Sequence, residues 1–151
     1  MTQPKVLVLR APGTNCDQET AYAFELAGAV ADFVHVNSLI ESPAKLNNYQ
    51  ILCLPGGFSY GDDIAAGRIL ANQMQKYLKD FLNEFHAQEK LILGICNGFQ
   101  ILIKSGLLIP NDDSGLPATL TWNDHGRFVD CWVNLKAVSY THLTLPTICS
   151  V

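Results

Sequence analysis

At residue 96 a strand meets a helix with no room for a linker. Leu91-Ile-Leu-Gly-Ile95 is an apolar run of strand length, and a helical pattern begins at Asn97, runs to Lys104 and ends near Gly106. Cys96 stands between them, with Gly94 two residues before it and Gly98 two residues after. A Gly-x-nucleophile-x-Gly arrangement permits a very tight strand-to-helix turn. Glycine is needed at both positions because a Cβ at either would crowd the neighbouring strand or helix. Such a turn pushes the central side chain out at the carboxyl end of the sheet. It also sets Cys96 at a helix N-terminus, where free N–H groups and the dipole favour a thiolate. The next backbone N–H, on Asn97, is then placed to donate to an oxyanion. The alternative is an inert core thiol, since cysteine is among the most buried residue types. Paired glycines at a strand–helix junction favour the nucleophile.

The rest of the chain supplies the sheet that this turn needs. Lys5-Val-Leu-Val-Leu9 is a short buried-strand run, followed by the turn-rich Ala11-Pro-Gly-Thr-Asn-Cys16. Asp17 to Leu26 reads as a helix with Ala21 and Phe24 on its apolar face and Gly28 as its stop. Val30 to Val36 reads as a second strand, and Ser42-Pro43 as an N-cap with proline opening a short turn. Ile51-Leu-Cys-Leu54 is a third strand, cut by Pro55-Gly-Gly57. Apolar residues from Ile69 to Leu82, at spacings of three and four, predict one long amphipathic helix over about 67–85. Strands alternating with helices imply an α/β fold, a doubly wound, mostly parallel sheet of flavodoxin-like order. Beyond Thr119 the texture changes: Thr119–Trp122 and Phe128–Leu135 read as strands split by the polar turn Asn123-Asp-His-Gly126.

A second motif lands on the same sheet edge as Cys96. Pro55-Gly-Gly-Phe-Ser-Tyr-Gly-Asp62 also follows a strand. Its Gly56-Gly57 pair can bring backbone N–H groups close to a ligand. A second oxyanion donor is the functional reading, worth roughly 3 kcal/mol in a transition state; a plain turn is the alternative. Composition narrows the classes. With 48% hydrophobic residues, a net charge of −4 and no basic cluster, the chain is core-rich and a poor nucleic-acid binder. No apolar run approaches the roughly 20 residues of a membrane span, and no secretory leader is evident at the amino terminus. Five single cysteines, at 16, 53, 96, 131 and 149, form no CxxC or zinc pattern. They suit reduced thiols in a cytoplasmic setting.

Together, Gly94-Ile-Cys-Asn-Gly-Phe-Gln100 and Pro55-Gly-Gly-Phe-Ser-Tyr-Gly-Asp62 resemble the motifs of class I glutamine amidotransferases. Ala11-Pro-Gly-Thr-Asn-Cys-Asp17 narrows the resemblance to the glutaminase subunits of phosphoribosylformylglycinamidine synthase, an activity of de novo purine biosynthesis. It covers about residues 5 to 137. The resemblance implies that Cys96 attacks the side-chain amide of L-glutamine, releasing ammonia and forming a glutamyl thioester that water hydrolyses. It implies oxyanion and substrate contacts from Gly56, Gly57, Asn97 and Gln100. It implies no cofactor or metal in this domain, and a synthetase subunit or domain as partner, which uses ATP and Mg.

The resemblance also implies a triad His and Glu in a Pro-His-Pro-Glu-like motif, and nothing in the chain matches it. His35, His86 and His125 sit in a strand, at a helix end and in a polar turn, and none has a Glu two residues on. His142 falls in Val138-Ser-Tyr-Thr-His-Leu-Thr-Leu-Pro-Thr147, which resembles the translation of a sequencing-library transposase adapter. The expectation is therefore a domain over 1–137 that is incomplete at its C-terminus, a non-native tail over 138–151, and a fragment without glutaminase activity. Two other classes stay open: another cysteine-elbow hydrolase or peptidase-like protein of flavodoxin-like fold, and a non-catalytic binding domain.

Overall fold

The computed structural model describes residues 3–62, 64–109, 118 and 120–134. The chain divides into two units, Met1–Thr119 and Leu120–Val151. In the first, four strands form one parallel sheet: β1 (Lys5–Arg10), β2 (Val30–His35), β3 (Ile51–Leu54) and β4 (Leu91–Gly94), in the order β2-β1-β3-β4. The helices are α1 (Asp17–Leu26), α2 (Val36–Glu41), α3 (Arg68–Tyr77), α4 (Lys79–Ala87) and α5 (Asn97–Lys104). Short 3-10 turns span Pro43–Asn48 and Ser59–Asp62.

The two-residue period of the strands sorts the core onto two faces. Leu7, Leu9, Leu52 and Leu54 point one way, into a cluster with Leu39 of α2, Met74 of α3, Phe85 of α4 and Ile101 of α5. Val6, Val8 and Cys53 point the other way, against Ala21 of α1. Fully burying each such aliphatic side chain is worth about 1.5–3 kcal/mol. Central β1 is buried on both faces, which is why it reads as a continuous apolar run and not an alternating one.

The order β2-β1-β3 makes β1 the point where the winding reverses. The chain leaving β1 therefore runs to a helix on one face of the sheet and the chain leaving β3 to a helix on the other, and ligands of open α/β sheets bind outside the carboxyl ends of the strands at such a point. The loops after β1 (Ala11–Cys16), β3 (Pro55–Phe58) and β4 (Ile95–Cys96) all emerge on this edge.

Three sequence expectations change. The helix expected over 67–85 is two, broken at Leu78 (φ −121°, ψ −2°). Leu70, Met74, Leu78, Leu82 and Phe85 are all buried, so the apolar face continues across the break. Strand β2 ends at His35, because Val36 already opens α2 with the His35 ring capping it: Asn37 N–H donates to Nδ1 at 3.2 Å. The third concerns the second unit, where residues 120–134 contain no strand, only a turn closed by Gly126 N–H to Asn123 O at 2.8 Å. Strand preference is a preference for a pleated, half-buried surface, and Trp122, Phe128 and Trp132 are exposed here. Thr119, Leu135 and the expected tail at 138–151 lie outside the described residues. No described helix is long and apolar enough to cross a membrane.

Candidate active site

The strand-to-helix turn forms as tightly as its glycines allow. Cys96 has φ 51° and ψ −112°, a region that costs a non-glycine residue on the order of 1–3 kcal/mol. Ile95 N–H still pairs with Leu54 O at 3.0 Å, so sheet pairing persists to the residue before the nucleophile. Gly98 N–H closes the turn on Ile95 O at 2.8 Å. A Cβ on Gly94 would sit 2.6 Å from Leu102 Cδ1 and 2.8 Å from Gly98 O, and one on Gly98 would collide with the Leu54 carbonyl. Both glycines are thus fixed by close approach, and the Cys96 side chain is left exposed at the start of α5, its thiol free.

Gly56 and Gly57 lie beside it. A Cβ built on Gly56 would touch Cys96 Cβ at 3.4 Å and Cys16 Sγ at 3.4 Å, so this glycine occupies the gap between two cysteines. Gly57 adopts φ 134°, and a side chain there would press on Asn15 N at 2.8 Å and Gly13 O at 2.9 Å. Among the described residues nothing accepts the Gly57 N–H.

The loop after β1 holds this segment like a short third strand. Thr14 and Gly57 form an isolated antiparallel bridge. Phe58 N–H donates to Gly13 O at 2.9 Å, Tyr60 N–H to Pro12 O at 2.7 Å, and Cys16 N–H to Gly56 O at 3.3 Å. The loop's ends are drawn together by Arg10 and Asp17, whose Nε and Oδ2 stand 2.6 Å apart as an ion pair without hydrogen-bond alignment.

A buried side-chain network joins the loop after β3 to the turn. Asn97 Oδ1 accepts from Ser59 Oγ at 2.6 Å and from Ser59 N–H at 3.1 Å, and Asn97 Nδ2 donates to Gln100 Oε1 at 3.1 Å. Ser59, Asn97 and Gln100 are all buried. Gln100 is therefore one residue removed from the sulfur, with its carboxamide turned onto Asn97. Sequence reasoning assigned no role to Ser59 or Cys16. The signal available for both was that their segments follow β3 and β1 onto the edge carrying Cys96.

The other cysteines of the sheet differ from Cys96 in setting. Burial pushes the Cys53 thiol up to about 12. The Cys16 thiol is also raised, first by burial, then by its hydrogen bond with Glu19 and the negative charges of Glu19, Cys96 and Asp17. No histidine of the first unit stands at the site by topology. His35 ends β2, three strand spacings or about 14 Å from β4, and His86 lies in the last turn of α4. His125 belongs to the second unit, where its Nδ1 accepts from Arg127 N–H at 3.1 Å. His142 lies outside the described residues. Among the described residues no three of His, Cys, Asp and Glu gather to hold a metal ion.

Known proteins resemble this chain. The model of the CobB/CobQ-like glutamine amidotransferase domain matches residues 3–147. The phosphoribosylformylglycinamidine synthase subunit PurQ of Dehalococcoides mccartyi is 51% identical over 135 residues, 89% of this chain and 53% of that protein. PurQ of Methanococcus maripaludis is 47% identical over 135 residues, 88% of this chain and 50% of that protein. Among solved structures, PurLQS from Thermotoga maritima superposes with a TM-score of 0.68 at 34% identity, covering 90% of this chain and 56% of the matched one. The chain spans about half the length of the curated relatives it matches. With a glycine-flanked cysteine turn, a Gly-Gly loop clamped beside it and a match over nearly its whole length, the chain belongs to the family of CobB/CobQ-like glutamine amidotransferase domains.

Proposed function

We propose that this chain is the nucleophile-bearing part of the glutaminase of a phosphoribosylformylglycinamidine synthase, supplying ammonia for purine biosynthesis. The observation that carries the reading is the strained, exposed Cys96 with the Gly56-Gly57 loop locked beside it through Ser59 and Asn97. The PurQ relatives support the particular synthase.

On this reading Cys96 Sγ adds to the side-chain carbonyl carbon of L-glutamine. The carbonyl oxygen becomes an oxyanion, taken by the backbone N–H groups of Gly57 and Asn97, and Gly56 leaves room for the substrate between the loops. Losing one such donor typically costs about 10²–10³ in rate. The C–N bond then breaks, the amide nitrogen takes a proton and leaves as ammonia, and water releases glutamate from the thioester. Gln100 orients Asn97. Ammonia passes to a synthetase partner, and ATP and Mg serve that partner. The domain itself works without a cofactor, in the cytoplasm, where free thiols persist.

Protonating the leaving nitrogen and activating water call for a histidine-type acid–base group. His35 at the end of β2 and His86 in the last turn of α4 are not suited to that role on this reading, so residues 1–151 alone are expected to turn glutamine over at least about 10²-fold more slowly than an intact glutaminase. Turnover equal to the intact enzyme, abolished by Cys96→Ala, would overturn this and direct attention to His125. The reading itself is tested with a diazo-ketone analogue of glutamine. It is expected to alkylate Cys96 and spare Cys53 and Cys131; equal labelling of the three would refute the assignment.

A further inference from the structure

Cys16 is an unassigned thiol beside the nucleophile. It ends the loop after β1 at the N-cap position of α1, half-buried and outside any disulfide, with its Sγ donating to Asn15 Oδ1 at 3.4 Å. A single point, the Cβ position that Gly56 lacks, lies 3.4 Å from Cys16 Sγ, 3.5 Å from Cys16 Cβ and 3.4 Å from Cys96 Cβ. The two β-carbons are therefore at most about 7 Å apart, against the roughly 4 Å of a disulfide. Gly56 leaves open the space in which the two sulfurs would meet. The tie that sets Cys16 against this loop, Cys16 N–H to Gly56 O, is long at 3.3 Å. Cys53, the other described cysteine of this unit, lacks this geometry: it is buried on β3 with its side chain in the α1-facing core.

We propose that Cys16 and Cys96 form a reversible disulfide, with Cys16 as the resolving thiol when a hydroperoxide oxidises Cys96. In the first step the Cys96 thiolate attacks the peroxide. An S–O bond forms, the O–O bond breaks, and Cys96 becomes a sulfenic acid while the peroxide's other oxygen leaves as water or alcohol. In the second, the Cys16 thiolate attacks that sulfur. The S–S bond forms, hydroxide leaves and takes up a proton as water. Two thiols are oxidised by two electrons, and one peroxide is reduced. The bond masks the Cys96 sulfur and keeps it from passing on to the irreversible sulfinic acid. A dithiol reductant restores both thiols.

The chemistry does not depend on the glutaminase reading, and neither does the readout. The reduced full chain is treated with stoichiometric hydrogen peroxide, blocked with iodoacetamide, digested with trypsin and mapped by mass spectrometry. The expected result is a dithiothreitol-sensitive link between the peptides 11–45 and 91–104, which hold Cys16 and Cys96. In Cys16→Ser, given a second equivalent of peroxide to carry the sulfenic acid onward, the link vanishes and peptide 91–104 gains about 32 Da as the sulfinic acid. A chain that fails to fold would link Cys53 and Cys131 as readily as Cys16. Indiscriminate linking of that kind overturns the proposal, as does peptide 91–104 gaining oxygen in the unmutated chain with Cys16 still free to alkylate.

Discussion

Asn97 offers the sharpest test of how the site is held together. Its carboxamide takes two hydrogen bonds from Ser59 and gives one to Gln100, all among buried groups. Asn97→Ala leaves the Ser59 hydroxyl, the Ser59 N–H and the Gln100 Oε1 without these partners, each at a cost of about 1–3 kcal/mol when dry. Some relaxation and water entry bring the expected loss of unfolding free energy to about 3–5 kcal/mol. That is a large share of the 5–15 kcal/mol that holds a typical domain. Ser59→Ala removes only the 2.6 Å hydroxyl bond and is expected to cost about 1 kcal/mol. The double variant should be scarcely less stable than Asn97→Ala alone, giving a coupling energy of about 1 kcal/mol. Urea titrations of the four proteins, followed by far-UV circular dichroism, measure this. Strict additivity, or a loss under about 1 kcal/mol for Asn97→Ala, would show that the network does not bind the loop to the turn.

Cys53 makes stability depend on alkaline pH. Its thiol ionises near 9 when unfolded but is pushed up to about 12 by burial, so the stabilisation is complete below pH 9 and is lost as pH rises toward 12, by up to about 1.4 kcal/mol per pH unit. Cys53→Ala should flatten that part of the curve, and parallel curves for the two proteins would refute it. Gly98→Ala should destabilise by about 3 kcal/mol or more, at or beyond the upper end of overpacking costs, because the new methyl meets a backbone carbonyl and not a flexible side chain; wild-type stability in a urea titration would contradict the close approach. In native-state alkylation at neutral pH, Cys96 should react before Cys16, and Cys53 last, given exposure and the raised thiols at 16 and 53. Mass mapping at short times reads the order, and early modification of Cys53 would show that β3 is not buried as described.

What could be read from the sequence was what local chemistry dictates. The bounds of α1, β3 and α5 follow from glycines and apolar runs that admit few conformations, and Cys96 was found because Gly94 and Gly98 restrict its turn. The break at Leu78 left no such mark. It contains no glycine or proline, and it keeps Met74, Leu78 and Leu82 on one face, so periodicity passes through it unaltered. The expected strands near 120–134 failed for the opposite reason: a β-branched and aromatic pattern is only half of a strand, the other half being a partner to pair with. The Ser59–Asn97 bonds and the Cys16–Gly56–Cys96 contacts join positions 38 or more residues apart. They exist because β1, β3 and β4 are neighbours in the sheet, a fact of topology that no single segment encodes.

That topology also explains how a strained nucleophile is sustained. Cys96 at φ 51° would relax if the residue after it were free to turn. Asn97 is not free, because its side chain is tied to Ser59 and Gln100 on either side. Ser59 in turn sits on a loop fixed by the Gly13 and Pro12 carbonyls of the loop after β1. The strain at one residue is therefore opposed by hydrogen bonds from three segments, after β1, after β3 and in α5. Loosening any of them moves the Gly57 N–H and the Cys96 sulfur relative to each other. The loop after β1, which carries none of the proposed glutaminase chemistry, is for that reason as much a part of the site as the cysteine, and Gly13→Ala, whose methyl would strike the Phe58 carbonyl, should disturb Cys96 without touching it.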